Sequence, residues 1–256
     1  IADEINRDGI LTFATGATTD LLSKKDDFIL RNIQDVEEEQ KSIAEHINQV
    51  PVKRLLIVRD TDNHGYTAPA LQYLRRHLTK EKVSVIDISM SKLDLALLER
   101  QMRRENFDLL YLLIGGYKST TGSIAQLAKK LRPEVKIIYT PWMKTPTLLE
   151  TAGQSIQDSI IPSHYPPRTE SPSVKDYIER FKKRYSYAPT YISLNVYSAI
   201  QILAEAIQAG HRTPEGVKKY LLEKGSVTTD FGPVTFDRYG DTRMTLYFIT
   251  DIPGEF

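Results

Sequence analysis

"KRLLIVRDTDNHGYTAPALQYLRRHLTKEKVSVIDIS", residues 53–89, holds two apolar runs separated by one amphipathic segment. The runs read as strands. Between them Leu71, Leu74 and Leu78 fall on one helical stripe. Strands that are apolar on both faces and alternate with helices imply parallel pairing under a helical cover. The cycle then continues. "KLDLALLERQMRREN" (92–106) is the next helix, "FDLLYLLIGG" (107–116) precedes "STTGSIAQLAKKLRP" (119–133), and "VKIIYTP" (135–141) precedes "TPTLLETAG" (145–153). Residues 50–140 therefore predict a mainly parallel, doubly wound sheet.

On the amino-terminal side, "IADEINRDG" (1–9) reads as a helical tail, "ILTFA" (10–14) as a strand and "TGATTD" (15–20) as a Thr-rich turn. A second strand, "DFILRNI" (27–33), leads into the charged helix 35–49. A sheet seldom starts on a helix tail, so further strands are expected before Ile1. On the other side, the proline-rich loop "SIIPSHYPP" (159–167) gives way to amphipathic helices at 171–187, 190–210 and 213–225. Thr213 is the expected cap of the last, with Pro214 in its first turn. The stretch "GPVTFDRYGDTRMTLYFITD" (232–251) reads as a hairpin turning at "DRYGD".

Composition narrows the function. With 34 basic and 33 acidic residues, no net field draws the chain to nucleic acid or to an anionic membrane. No apolar stretch approaches the roughly 18 residues of a membrane span. The absence of cysteine excludes disulfides and thiolate sites, and suits either a cytoplasmic or a mature periplasmic protein.

The acids after the first strand resemble the start of a calcium loop, with Asp60, Asp62 and Gly65 at its first, third and sixth positions. The fit fails at His64 in the fifth position and Leu71 in the twelfth, where a bidentate Glu belongs. No metal is expected. A phosphate cradle needs more glycine than this turn has, and an Asp60/His64 catalytic pair lacks any nucleophile motif. What remains is position: in open parallel sheets, ligands sit beyond the strand carboxyl ends, here 17–19, 61–66, 115–119 and 141–144. Trp142, the only Trp, follows a strand directly and could wall an apolar ligand or pack on a neighbouring loop. Tyr117 follows a Gly pair and could donate a directed hydrogen bond. Tyr185, Tyr187, Tyr191 and Tyr197 read as core and rim packing.

The order of these stretches resembles the type I periplasmic binding-protein family, typified by the leucine/isoleucine/valine-binding components of ABC transporters. The similar stretches include "EINRDGILTFATGATTDLLS", "FILRNIQD", "VKRLLIVRDTDNHGY", "NFDLLYLLIGGY" and "FGPVTFDRYGD". The resemblance implies an α/β fold of two doubly wound parallel-sheet lobes joined by three crossovers, near 33–35, 162–165 and 237–241. Lobe one would hold 1–34 and 164–238, its first strands missing; lobe two would hold 35–163 and 239–256. Ligand would lie in a cleft on which the lobes close. The resemblance places Thr18 and the amide of Ala17 on a ligand carboxylate, His64 where relatives often carry an aromatic, and Tyr117 as a closing tyrosine. Trp142 stands where amino-acid binders carry the acid that pairs with the ligand ammonium.

The expected function is an extracytoplasmic solute-binding protein, lipid-anchored or free, that delivers a small ligand to an ABC permease without catalysis or cofactor: a carboxylate, amide or amino-acid-like molecule with an apolar or aromatic body, or a softer alkylated cation held by the Trp142 ring. The alternatives are a ligand-sensing ectodomain of a membrane receptor or kinase, an Asp/His enzyme, and the effector domain of a repressor. The sheet edge and lobe surface left open by the missing first strands further predict self-association, as in a homodimer, or instability.

Overall fold

The computed structural model describes residues 1–116 and 119–255. The chain divides into two compact units, residues 1–39 with 164–245, and residues 40–163 with 246–256. It therefore passes from one unit to the other three times.

The first unit contains α1 (Ala2–Arg7) and the parallel pair β1 (Thr12–Ala14) and β2 (Ile29–Arg31), with Phe13 opposite Leu30. It also gives the start of α2 (Val36–Gln49), which runs on into the second unit.

The second unit is built on a six-stranded sheet. Its members are β3 (Arg54–Asp60), β4 (Lys82–Ile88), β5 (Leu109–Leu113), β6 (Lys136–Tyr139), β7 (Ser159–Ser163) and β10 (Tyr247–Ile249), in the order β10-β7-β6-β5-β3-β4. All pairs are parallel except β10 with β7. Every residue of β5 is buried, as its continuous apolar run predicts for a strand covered on both faces. Residues 159–163, expected as part of a proline-rich loop, instead form the fully buried strand β7: a proline excludes a strand only where its missing amide is needed for pairing. The edge strand β4 is only half-buried and carries Lys82 and Asp87 outward. The covering helices are α3 (His64–His77), α4 (Leu95–Arg104), α5 (Thr120–Leu131) and α6 (Pro146–Ala152). Their starts are locally encoded. Asp94 accepts the Leu97 amide at 3.0 Å, and Thr145 accepts that of Leu148 at 3.3 Å with Pro146 in the first turn.

The first unit is completed by α7 (Pro172–Tyr185), α8 (Tyr191–Gln208), α9 (Pro214–Lys224), β8 (Ser226–Thr229) and β9 (Gly232–Thr235). Thr213 caps α9 by accepting from the Gly216 amide at 3.1 Å. Leu30 of β2 joins Ile202, Ala206, Leu221, Val227 and Phe236 in the core. The opposite face of α8 leaves Val196, Ile200 and Ile207 exposed, at the i, i+4, i+11 spacing of one helical stripe.

The expected hairpin across residues 232–251 is not formed. "DRYGD" does make a tight turn, in which the Asp237 carbonyl accepts from the Gly240 amide at 3.1 Å, but a single Phe236–Thr242 bridge flanks it. The chain then crosses to the second unit, where β10 joins β7; the true hairpin lies upstream, β8 against β9. Alternation marks a strand but not its partner.

Candidate functional site

In the second unit the chain winds outward from β3 to β4, then returns to place β5, β6 and β7 on the other side of β3. This makes the carboxyl ends of β3 and β5 a topological switch point, where ligands bind in open α/β sheets. The residues after β3, β5 and β6 converge there.

After β3, the two acids act as backbone staples. The buried Asp60 carboxylate accepts the Asp62 amide at 2.9 Å, and the Asp62 carboxylate accepts the Ser91 amide at 2.7 Å. Thr67 donates to the Asp60 carbonyl at 2.6 Å, tying the first turn of α3 to the strand end. His64 is the first residue of α3 and is exposed to solvent. Asn63 donates through Nδ2 to the Gly115 carbonyl at 2.9 Å, so the β3 and β5 loops are joined across the switch point.

Gly115 is required by that closeness. A Cβ there would lie 2.5 Å from Asn63 Nδ2 and 2.7 Å from Tyr66 Cδ1. Gly116, at φ +123°, adopts backbone that side-chain-bearing residues avoid. Tyr117, expected to close over a ligand, lies outside the described residues.

After β6, Trp142 sits in a 3-10 turn, Pro141–Met143, and is buried. Its ring meets Tyr66 edge-on, with centroids 5.7 Å apart and planes at 81°. The Tyr66 hydroxyl in turn accepts from Gln40 Nε2 at 3.4 Å, and Gln40 Oε1 accepts from the Tyr111 hydroxyl at 3.1 Å. Trp142 thus belongs to a braced aromatic assembly. Tyr66 was not singled out from the sequence, where an aromatic two residues into a helix carries no mark of its role.

In the first unit, the turn after β1 places Ala17 in solvent and buries Thr18, whose carbonyl accepts from the Val36 amide at 2.8 Å. Thr15 and the far side of this turn are held by Asn195, whose Nδ2 donates to the Thr15 carbonyl at 2.6 Å. The organiser is Arg31, whose side chain is 1% exposed. It donates to Asp241 Oδ1 at 2.8 Å, the Thr19 carbonyl at 2.9 Å and Ser23 Oγ at 2.6 Å. The Ser23 hydroxyl in turn donates to Asp35 Oδ2 at 2.8 Å, and Asp35 Oδ1 accepts from the Glu38 amide at 3.0 Å at the start of α2. A single Arg inside the apolar run "FILRNI" was the available signal.

Among the described residues, no cluster of His and acidic side chains has the geometry to hold a metal ion.

Comparison with known proteins places this arrangement. The chain is 26% identical over 247 residues to the Leu/Ile/Val-binding protein of Escherichia coli K12, covering 94% of this chain and 65% of that protein. It therefore spans just under two thirds of that relative's length. Its fold matches the branched-chain amino acid transporter substrate-binding protein LivJ of Streptococcus pneumoniae, solved with isoleucine, at a TM-score of 0.84 and 17% identity, over 99% of this chain and 72% of that one. It also matches an ABC-transporter solute-binding protein of Rhodopseudomonas palustris, solved with 3,4-dihydroxybenzoic acid, at a TM-score of 0.82 and 15% identity, over 96% and 69% of the two chains. Residues 1–254 match the family described as periplasmic binding protein, and the chain belongs to that family.

Proposed function

We propose that this chain is the solute-binding component of an ABC-type uptake system, and that it binds a small organic carboxylate or amide with an apolar or aromatic body. Its family is extracytoplasmic, and so is the chain; among the described residues no helix is long and apolar enough to cross a membrane. The observation that carries the reading is Trp142, braced by Tyr66 beside the switch point of the second unit. A wall of this kind favours an apolar body through burial. His64, exposed at the start of α3, supplies a polar contact on the same unit, and Tyr117 is the proposed closing hydroxyl. On the first unit, Thr18 and the Ala17 amide are the proposed carboxylate donors.

The fold accommodates such ligands, since its neighbours hold isoleucine in one case and a dihydroxybenzoic acid in the other. A hydrolytic or acid–base role for Asp60 and His64 is disfavoured: the carboxylate is buried on the Asp62 amide, whereas His64 stands in solvent. We therefore read the protein as a binder without turnover.

Calorimetric titration with benzoate, benzamide and leucine tests the proposal. The parent is expected to bind at least one of them, and Trp142→Ala to weaken that binding by about 2 kcal/mol or more, the loss typical of a buried aromatic anchor. Unchanged affinity in Trp142→Ala would remove Trp142 from the site.

A further inference from the structure

The turn that carries Trp142 is clamped on both sides. Before it, Thr140 Oγ1 donates to the Ile114 carbonyl at 2.6 Å, fixing the end of β6 to that of β5. Within it, the Lys144 amide closes on the Pro141 carbonyl at 3.2 Å, and the Thr145 amide on that of Met143 at 2.7 Å. After it, the Lys144 ammonium reaches Glu255 Oε2 at 2.6 Å, in the 3-10 turn Pro253–Glu255 that follows β10. Ser163 Oγ, at the carboxyl end of β7, lies 3.4 Å from the same nitrogen.

This ion pair is buried, with the Lys144 side chain 14% exposed and that of Glu255 3%. Burial pushes the Lys144 ammonium below its usual pKa, and Glu255 opposes the shift. Two desolvated charges of this kind contribute little net stability over an apolar pair of the same shape. What they supply is a directed contact between segments 111 residues apart.

We propose that the Lys144–Glu255 pair is a positioning device for Trp142, holding its turn at the orientation in which the indole packs on Tyr66 and walls the ligand. Both residues act through Trp142. The functional consequence rests on the reading of Trp142 as a ligand wall, whereas the positioning itself can be measured without ligand.

Trp142 is the only tryptophan of the chain, so selectively excited fluorescence reports this turn alone. In ligand-free protein well below its melting transition, Glu255→Gln is expected to shift Trp142 emission to the red and to raise its quenching by acrylamide, with the far-ultraviolet circular dichroism of the parent. Lys144→Gln should do the same, and the double variant no more than either, because both remove one shared interaction. Parental emission and quenching in Glu255→Gln, or additive shifts in the double variant, would overturn the proposal. Whichever of benzoate and leucine the parent binds should bind Glu255→Gln about tenfold more weakly, as a first contact left loose by its support does. A shifted emission with parental affinity would uphold the positioning role and reject Trp142 as the ligand wall.

Discussion

Arg31 is the residue whose partners can be removed with the most readable result. Its guanidinium is buried and donates to Asp241, the Thr19 carbonyl and Ser23, but only Asp241 carries the opposing charge. Asp241→Asn keeps the shape of the side chain and removes that charge. It also puts at risk the 2.7 Å bond that the second Asp241 oxygen accepts from the Lys24 amide. Stripping a buried pair of one partner typically destabilises by 3–5 kcal/mol; Asp241 retains 19% exposure, so about 2–4 kcal/mol is expected here. At about 2–4 °C per kcal/mol for a chain of this size, the transition that includes the first unit should fall by roughly 4–16 °C. Urea unfolding followed by circular dichroism, with calorimetry to separate the two units, reads the change. Asp176→Asn, which breaks the exposed Arg180 pair on α7, is the control and should leave stability unchanged. A Asp241→Asn variant as stable as that control would refute the reasoning.

Other perturbations have equally direct readouts. Gly115→Ala places a methyl group against Asn63 and Tyr66, and should lower stability by about 1–3 kcal/mol while altering Trp142 fluorescence through the Tyr66 contact; a neutral variant would contradict the packing. His46 stacks on Phe248 with ring centroids 3.9 Å apart, and burial lowers its pKa. The unfolded chain therefore binds a proton more readily than the folded one, so stability is present above the unfolded pKa of about 6.5 and is lost as pH falls below it. Thermal melts from about pH 7 to 5 should show that loss, and His46→Gln should remove this part of the slope. The exposed stripe of Val196, Ile200 and Ile207 should make the isolated chain self-associate, and Ile200→Glu should reduce it; sedimentation showing a monomeric parent would count against this.

Much of the fold was legible because its cause is local. The β5 run is apolar throughout and is buried throughout, and the caps at Asp94, Thr145 and Thr213 stand beside the helices they start. Pairings decided at a distance left no such trace. Tyr247–Ile249 looks the same in sequence whether its partner is the neighbouring strand or β7, and the latter is found. Lys144 gives no hint that its counter-charge is Glu255, and Arg31 reads as an odd residue in a strand until Asp241 is seen beside it. At the candidate site, the strand ends named loops that the fold brings together, but the brace from Trp142 through Tyr66 and Gln40 to Tyr111 joins four elements and could not be read from any one of them.

The acids near these strand ends bear on the class of ligand. An α-amino acid brings an ammonium, and desolvating it without a carboxylate costs several kcal/mol, whereas an aromatic face returns about 0.5–2 kcal/mol. Asp60 is committed to the Asp62 amide, Asp62 to the Ser91 amide, and Glu255 to Lys144. Each therefore has a structural task in its own loop, and the buried Asp60 and Glu255 are the least able to turn toward a ligand. The acids of the stretch 60–62 thus serve the turn, and on the proposed reading they are not the counter-charge of a ligand ammonium. These acids hold the turn and His64 faces solvent, so the proposed indole wall, with polar contacts at its margin, would suit an anionic or neutral ligand with an apolar body.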